Sequence, residues 1–443
     1  MLNQFVNSVV EAGREWLYRE KNDESQQNKS IEALCSDLLK AKGEASSAVL
    51  AFDIVKTYQN LTKEERLSFY EVLAHDFDLD IDALIESATL YKSQHSKEAL
   101  RELISKSQSM RQKLFRRINQ AQEGTALLVN LRAEILSELK DHPNWIVIDF
   151  DLIHLLSSWF NRGFLRIKRI DWRSPAIILE KLMKYESVHT ITGWDDLHRR
   201  LADDRRCYAF FHPVLQDEPL IFVEVALVKG LATSIANILD VNASVKSVDK
   251  ADTAIFYSIN NCQKGLRGIS FGDFLIKQVV SVLQKEIPNI KSFATLSPVP
   301  SFRKWLLKEL ANNTSVIIDN NATKQVLTGL IVELEQPDWQ SDTQLCEKAK
   351  PILTALCAHY LSKVLRNGKP LDPVARFHLH NGAQLNQINW LGDQSKNGID
   401  QSFGILVNYV YDVDSIERNH EDYIHHGHIS VSDTVKKLSE IKP

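Results

Sequence analysis

The first 142 residues carry apolar side chains at helical spacing. Met110, Leu114 and Ile118 recur every four positions. A second apolar stripe consists of Leu127, Leu128, Leu131, Ile135 and Leu139. Residues spaced three or four positions apart share one face of an α-helix, so the pattern predicts an all-α helical bundle. One of its apolar stripes can also serve as an oligomer face.

The segment Thr62-Lys-Glu-Glu65, just before the apolar residues Leu67 and Tyr70, has the pattern of a helix start. In such a capping box, the threonine hydroxyl and the glutamate carboxylate each accept a hydrogen bond from a backbone N–H of the first turn. The segment therefore predicts a helix that begins immediately after Thr62.

After Pro143 the apolar spacing changes to that of β-strands separated by turns. Residues 207–212, a turn through 216–219 and residues 220–228 predict a hairpin, and residues 253–259 and 292–296 predict two further strands. A helix is expected between these two strands, from Phe271 to about Gln284. The predicted fold class is therefore α+β, with an all-α N-terminal helical bundle over residues 1–160 and a mixed-sheet domain over residues 161–443.

Composition narrows the functional classes. The net charge of −4 lacks the basic excess of nucleic-acid-binding proteins, and no apolar run reaches the roughly 20 residues that span a bilayer. The N-terminus lacks the basic start and uninterrupted apolar core of a secretory signal. Five cysteines without a Cys-x-x-Cys pair indicate a reducing compartment. We therefore expect a cytoplasmic protein without nucleic-acid or membrane partners.

The segment Leu266-Arg-Gly-Ile-Ser-Phe-Gly272 lies between a predicted strand and the predicted helix that follows it. Backbone N–H groups at a helix N-terminus attract anions, and glycines let a ligand approach the backbone closely. The segment therefore predicts a pyrophosphate site. Its candidate ligand-binding residues are Arg267, Gly268, Ile269, Ser270, Phe271, Gly272 and Asp273.

Two further segments supply a hydroxyl and an imidazole. Ser297 follows a predicted strand and is fixed by Pro298 and Pro300, while His380 precedes Asn381-Gly382. A histidine titrates near neutral pH and can deliver a proton. From spacing alone, however, Ser297 could instead cap a helix beginning near Phe302, and His380 could be a core residue.

Taken in order, the motifs of the second half resemble those of the malonyl-CoA decarboxylase family. The matching segments are Trp172-Arg-Ser-Pro175, Arg206-Cys-Tyr208, Ala254-Ile-Phe-Tyr-Ser258, Gly265-Leu-Arg-Gly268, Phe274-Leu-Ile-Lys277, Leu296-Ser-Pro-Val-Pro300, Lys304-Trp-Leu-Leu307, His380-Asn-Gly-Ala383 and Ile388-Asn-Trp390. The resemblance implies a helical oligomerisation domain, giving a homo-oligomer (dimer or tetramer), followed by a catalytic domain of the GCN5-related acetyltransferase fold.

The resemblance also implies roles for individual residues. Arg267 to Asp273 match the acyl-CoA phosphate loop, Ser297 the catalytic serine and His380 the catalytic histidine. Tyr411 and Asn381 are candidate supporting donors. The loop departs from the wider acetyltransferase pattern, because Ser270 stands at its middle glycine position.

The implied reaction converts malonyl-CoA to acetyl-CoA and carbon dioxide. The thioester itself accepts the electron pair left at C2, so neither a metal nor an organic cofactor is required. Two other functions stay open, namely an acyltransferase of the same fold and a non-enzymatic acyl-CoA-binding scaffold.

Two competing motif readings are weaker. Gly268-Ile-Ser-Phe-Gly272 matches the nucleophile elbow of α/β-hydrolases, but Ser270 does not directly follow a strand as that motif requires. The C-terminal histidines lack a regular metal-binding spacing, and we expect them in a solvated loop. These residues are His420, His425, His426 and His428.

Overall fold

The structure is a computed structural model that describes residues 29–269, 272–311 and 321–440. The chain divides into two compact units. The first consists of Met1–Arg166, Phe211–Leu220 and Asn261–Ser270, and the second of Ile167–Phe210, Ile221–Asn260 and Phe271–Pro443. Two short segments from later in the sequence thus belong with the N-terminal unit. A domain boundary near residue 160 stays a prediction.

The N-terminal unit is helical. Its described α-helices are α1 (Ile31–Lys40), α2 (Glu44–Asn60), α3 (Lys63–His75), α4 (Ile81–Gln94), α5 (Lys97–Lys106), α6 (Met110–Ile118), α7 (Gly124–Glu138) and α8 (Ile146–Trp159). Most begin at a side-chain cap. Thr62 and Glu65 form the predicted capping box at the start of α3, and Ser30, Asp80 and Ser109 cap other helices.

The two predicted apolar stripes lie on α6 and α7. Leu114 and Ile118 are buried, whereas Met110 at the start of α6 stays exposed. On α7 the stripe residues Leu128 and Ile135 are fully buried. These stripes form the core of the helical unit because each helix turns its apolar face towards its neighbours.

The second unit combines helices with a sheet. Its described α-helices are α9 (Ala176–Tyr185), α10 (Trp194–Arg200), α11 (Ala236–Leu239), α12 (Gly272–Glu286), α13 (Phe302–Ala311), α14 (Asn321–Glu333), α15 (Thr343–Lys363), α16 (Pro373–His380), α17 (Lys396–Ser402), α18 (Ile416–His426) and α19 (Asp433–Glu440). Short 3₁₀ turns occur in this unit at Val248–Lys250 and Trp339–Ser341, and in the first unit at Pro143–Trp145, Arg162–Phe164 and Lys264–Leu266.

The described strands form one large mixed sheet and a small hairpin. They are β1 (Arg166–Ile170), β2 (Arg205–Phe211), β3 (Pro219–Val228), β4 (Thr253–Asn261), β5 (Ser292–Thr295), β6 (Ser297–Pro298), β7 (Leu365–Arg366), β8 (Lys369–Pro370), β9 (Gln384–Asn389) and β10 (Leu406–Val410). The large sheet has the order β1-β2-β3-β4-β5-β10-β6, with β9 also paired to β10. Strands β4 and β5 are parallel, whereas β10 is antiparallel to β5, β6 and β9.

Buried apolar residues from the central strands pack with α11 in one cluster. This cluster contains Ala226, Ile235, Ile238, Ile255, Tyr257, Ala294, Leu296 and Leu406. Since β4, β5 and β10 are covered on this side, Thr295 and Ser297 are anchored in a rigid part of the sheet.

The predicted fold class is confirmed: a helical N-terminal part precedes a mixed-sheet part. The four predicted strands and the helix before β5 occur within a few residues of their expected positions. The strands β1 and β6 to β10 were not predicted. Strands β6, β7 and β8 have only two residues each, β9 is mostly polar and β1 is mostly basic, so they lack a strong periodic signal, whereas the apolar strand β10 was missed. Within the described part of the chain, each helix is too short or too polar to cross a lipid bilayer.

Candidate active site

The candidate site lies where strand pairing is interrupted beside β10. Val410 lies opposite Ala294 on β5, and Val407 lies opposite Ser297 on β6. The pairing register along β10 is the same for β5 and β6. Only Leu296 separates Thr295, the last residue of β5, from Ser297, the first residue of β6. Ser297 therefore sits at an opening in the sheet rather than at the start of α13.

Side chains replace the missing strand contacts at this opening. The Tyr409 N–H donates to Thr295 Oγ1 at 3.2 Å, and Asn408 Nδ2 donates to the Thr295 carbonyl oxygen at 2.7 Å. Asn408 Oδ1 in turn accepts from Asn389 Nδ2 at 2.7 Å. All these groups are buried, and the contacts satisfy polar groups that would otherwise destabilise the opening.

Helix α16 brings a histidine to the opening. Asp372 caps this helix by accepting from the N–H groups of Val374 and Ala375, and Pro373 occupies the first helical position. Both features favour a helix that starts at this residue. His378 lies in the last turn, on the buried face together with Ala375.

Ser297, His378 and Tyr411 form a line of buried hydrogen bonds. His378 Nε2 lies 3.1 Å from Ser297 Oγ, and His378 Nδ1 lies 2.8 Å from the Tyr411 hydroxyl oxygen. Ser297 Oγ also donates to Thr295 Oγ1 at 2.8 Å. The imidazole is stacked on Tyr409, with ring centroids 4.7 Å apart. Contacts at both ring nitrogens and on the ring face fix the orientation of His378.

Burial determines the charge state of this line. It lowers the pKa of His378 from 6.5 to about 3, and it raises the pKa of Tyr411 well above 10. The imidazole is therefore neutral at physiological pH and the phenol is protonated. Each hydrogen finds an acceptor when Tyr411 donates to Nδ1, Nε2–H donates to Ser297 and Ser297 donates to Thr295.

The predicted catalytic histidine, His380, lies elsewhere on α16. Its ring contacts those of His420 and Tyr423, with centroids 5.3 and 6.0 Å away, and its carbonyl oxygen contacts His420 Nδ1. Residues two positions apart in a helix point to different sides. The structure thus pairs Ser297 with His378 rather than with His380, and a catalytic role for His380 stays a prediction.

Of the two candidate supporting donors, only Tyr411 contacts the Ser297–His378 pair. Asn381 ends α16, and its Nδ2 atom donates to the Phe377 carbonyl oxygen at 2.8 Å. The sequence contained a signal for His378, because Ala375 and Leu379 mark the apolar face of the helix and His378 shares it. That signal was missed in favour of the neighbouring histidine.

The described part of the predicted phosphate loop follows the 3₁₀ turn Lys264–Leu266. The Ile269 N–H donates to the Leu266 carbonyl oxygen at 3.1 Å, and Gly268 has φ +84°, a conformation that favours glycine. Arg267 and Gly268 are exposed, whereas Ile269 is buried. Among the described residues, this turn offers an exposed and tightly bent backbone.

The remaining loop residues are only partly described. Ser270 and Phe271 lie outside the described residues, so the alternative of Ser270 as a nucleophile also lies there. Gly272 and Asp273 begin α12, a helix that ends at Glu286. A helix thus begins at Gly272, close to the predicted start, and binding of a phosphate at this loop stays a prediction.

The C-terminal histidines were expected in a solvated loop. His425, His426 and His428 are exposed, but the loop part of this expectation is wrong for three of the four residues. His420, His425 and His426 lie on helix α18, which buries Ile416 and Tyr423 one heptad apart. These two buried residues attach an otherwise polar helix to the rest of the unit. The described residues contain no group of three histidine, cysteine or acidic side chains arranged to hold a metal ion.

Comparison with known proteins covers nearly the whole chain. The family model for the malonyl-CoA decarboxylase C-terminal domain matches residues 163–443, and that for the N-terminal domain matches residues 77–160. The chain is 34% identical over 414 residues to the mitochondrial malonyl-CoA decarboxylase of Anser anser anser, covering 86% of this chain and 82% of that protein. It is 33% identical over 431 residues to that of Rattus norvegicus, covering 90% and 87%.

Solved structures give the same result. The malonyl-CoA decarboxylase of Rhodopseudomonas palustris matches with a TM-score of 0.87 and 47% identity, over 92% of this chain and 98% of that one. The malonyl-CoA decarboxylase of Agrobacterium vitis matches with a TM-score of 0.87 and 42% identity, over 93% and 100%. The resemblance noted in the sequence is thereby confirmed.

Proposed function

The chain belongs to the malonyl-CoA decarboxylase family, and from this premise we propose that it converts malonyl-CoA to acetyl-CoA and carbon dioxide. The observation that carries the proposal at the level of residues is the buried line Ser297, His378 and Tyr411. A preorganised hydroxyl and imidazole N–H in a water-poor site are the donors that a forming enolate requires.

The chemistry follows from the charge on the substrate. The C2–carboxylate bond breaks, its electron pair moves onto the thioester as an enolate, and carbon dioxide leaves. When substrate binds, the Ser297 hydroxyl and the Nε2–H group of His378 exchange their hydrogen bonds to Thr295 and Ser297 for hydrogen bonds to the malonyl group, either at its carboxylate or at the thioester oxygen.

The proton for C2 comes through the same imidazole. An adjacent negative charge favours the protonated form of histidine, so a bound malonyl carboxylate raises the pKa of His378 from its low resting value. His378 then transfers its Nε2 proton to C2 of the enolate and is reprotonated from solvent. The net reaction consumes one proton for each carbon dioxide released.

The CoA part of the substrate belongs, in this proposal, to the loop Arg267 to Asp273. Support comes from the positive φ of Gly268 and from the start of the fifteen-residue helix α12 at Gly272. Backbone N–H groups in such a turn, together with the helix N-terminus, favour pyrophosphate oxygens. Affinity and chemistry thus depend on different residues.

The proposal includes a homo-oligomer, dimer or tetramer, formed through the helical unit. Ile81 and Ile85 on α4 and Leu100 and Ile104 on α5 are one turn apart on their helices and remain exposed. Four large apolar side chains on two consecutive helices are more than scattered surface residues. Cytoplasmic location remains part of the proposal on the basis of cysteine usage, and fractionation of the source cells would test it.

One assay tests the activity. The pure protein is incubated with malonyl-CoA in the absence of any acyl acceptor, and carbon dioxide and acetyl-CoA are quantified together. We expect equal amounts of both products. Binding of malonyl-CoA without carbon dioxide release would instead favour a non-enzymatic scaffold, and transfer to an added amine or acyl carrier would favour an acyltransferase.

A further inference from the structure

Arg132 on helix α7 connects the helical unit to the turn that precedes the phosphate loop. Its Nη1 atom donates to the carbonyl oxygens of Gly265 at 2.6 Å and of Arg267 at 2.8 Å, and its Nε atom donates to Asp149 Oδ1 at 2.7 Å. The side chain of Arg132 is 2% exposed. A buried charged group with three short contacts is held in one geometry.

The turn Lys264–Leu266 packs closely against α7. A Cβ atom added to Gly265 would lie 1.8 Å from the carbonyl oxygen of Val129, so only glycine fits at this position. Residues Asn261–Ser270 accordingly belong to the same compact unit as the helices. The backbone leading into the loop is therefore part of the packing of the helical unit.

These contacts have a directional consequence for the loop. In a trans peptide the C=O and N–H groups point in opposite directions. Because Arg132 holds the carbonyl oxygen of Arg267, the N–H group of Gly268 is turned to the opposite side of that peptide. Gly268 is exposed, so an anion can approach its backbone.

We infer that Arg132, anchored by Asp149, is a positioning residue that aims the Gly268 N–H of the loop at the phosphates of CoA. The inference rests on the proposed function, because it presupposes that the loop binds those phosphates. It gives the helical unit a part in substrate affinity, in addition to any part in oligomerisation.

The chain offers a matched control for this test. Arg111 is also 2% exposed, donates through Nε to an aspartate of α8, Asp151 Oδ2, at 2.7 Å, and donates to the Leu73 carbonyl oxygen at 2.7 Å. It thus resembles Arg132 in burial, partner and carbonyl contacts, but its carbonyl partners lie on α3. Arg132→Lys and Arg111→Lys both keep the charge and lose the forked geometry.

The experiment compares steady-state kinetics of malonyl-CoA with those of malonyl-pantetheine, which lacks the phosphates. For Arg132→Lys we expect KM for malonyl-CoA to rise about tenfold, because a charge-assisted hydrogen bond is weakened. The value of kcat should stay within about twofold of the parent value, and KM for malonyl-pantetheine should not change. Arg111→Lys should leave the ratio of the two KM values at the parent value. Asp149→Asn should shift that ratio in the same direction as Arg132→Lys, and it replaces Arg132→Lys as the test variant if that protein does not fold.

The possible failures are distinguishable. If the parent shows equal KM values for the two substrates, the loop does not bind phosphates, and both that part of the proposed function and this inference are overturned. If the parent discriminates but Arg132→Lys and Asp149→Asn keep the parent ratio, only the positioning role of Arg132 is overturned. A shifted ratio in Arg111→Lys as well would assign the effect to general loosening of the helices and would also overturn it.

Discussion

His378 Nε2 lies 3.1 Å from Ser297 Oγ, although the two residues are 81 positions apart in the sequence. The contact depends on two separate features, the opening between β5 and β6 and the last turn of α16. Burying a hydroxyl and an imidazole costs free energy unless their hydrogen bonds are satisfied, and here Ser297 Oγ and both ring nitrogens of His378 have partners.

The first prediction concerns this pair. Ser297→Ala and His378→Asn should each lower kcat by about 10²-fold or more, the usual contribution of a general acid–base group. Affinity for acetyl-CoA, measured by calorimetry, should change little, because CoA binding is proposed to lie in the loop. His380→Asn is the matched control on the same helix, and it also tests the role predicted for His380. A large loss in His380→Asn with normal turnover in His378→Asn would reverse the assignment.

The second prediction concerns the Tyr411 hydroxyl, which contacts His378 Nδ1 at 2.8 Å. Tyr411→Phe keeps the ring and leaves Nδ1 without this partner, so the imidazole loses its preference for the Nε2–H tautomer. We expect kcat to fall about tenfold and stability by about 1–3 kcal/mol, the usual penalty for a buried group left unsatisfied. The ¹⁵N chemical shifts of the imidazole report the tautomer. Unchanged shifts and unchanged turnover would remove Tyr411 from the site.

The helical unit and the central strands could be predicted because their signals are local. The capping box of Thr62 and Glu65 and the apolar stripe on α7 each lie within one element. Strand β6 has only two residues, and β9 reads as a polar segment, so neither carries a periodic signal of its own. Both strands pair with β10, which lies far from β6 in the sequence but is the next strand after β9.

The site shows the same limit. Ser297 was predicted as a site residue, and the line it forms with His378 and Tyr411 requires three elements to meet. The choice between His378 and His380 depends on which face of α16 is buried, since two residues two positions apart on a helix point to different sides. That face could be read from Ala375 and Leu379, but only once the segment was recognised as a helix rather than a loop.

The third prediction tests the glycine at the proposed phosphate loop. Gly268 has φ +84°, and the nearest atom to an added Cβ is Ile153 Cδ1 at 3.6 Å, so a side chain fits sterically but strains the backbone. Gly268→Ala should cost about 1–2 kcal/mol of stability and weaken malonyl-CoA binding, measured as Kd, because the methyl group blocks approach to the backbone. Gly368→Ala is the control, with φ +73° and open space around it. Equal Kd values in both variants would argue against phosphate binding at this turn.

The fourth prediction concerns the exposed apolar residues of α4 and α5. Ile85→Glu together with Ile104→Glu should convert the proposed oligomer to a species near the chain mass of 50.6 kDa in light scattering. A charge placed in an apolar interface is costly, whereas the same change on a free surface is nearly neutral. Val332→Glu, at an exposed position on α14, serves as the control. An unchanged mass in the double variant would place the interface elsewhere.

The fifth prediction uses the low pKa of His378. Burial lowers it from 6.5 to about 3, so between these two pH values the unfolded chain binds a proton at this residue and the folded chain does not. Stability contributed by the neutral imidazole is therefore complete above pH 6.5 and declines as the pH falls towards 3.

For this residue alone, the loss between pH 7 and pH 5 should be about 2 kcal/mol, since one pKa unit corresponds to about 1.4 kcal/mol. The free energy of unfolding is measured in urea at both pH values, for the parent and for His378→Asn. Burial also lowers the pKa values of His189, His212 and His359, but these residues titrate in both proteins and cancel in the comparison. The variant should therefore lose about 2 kcal/mol less than the parent. An equal loss in the two proteins would mean that His378 is not held neutral in the folded protein without substrate.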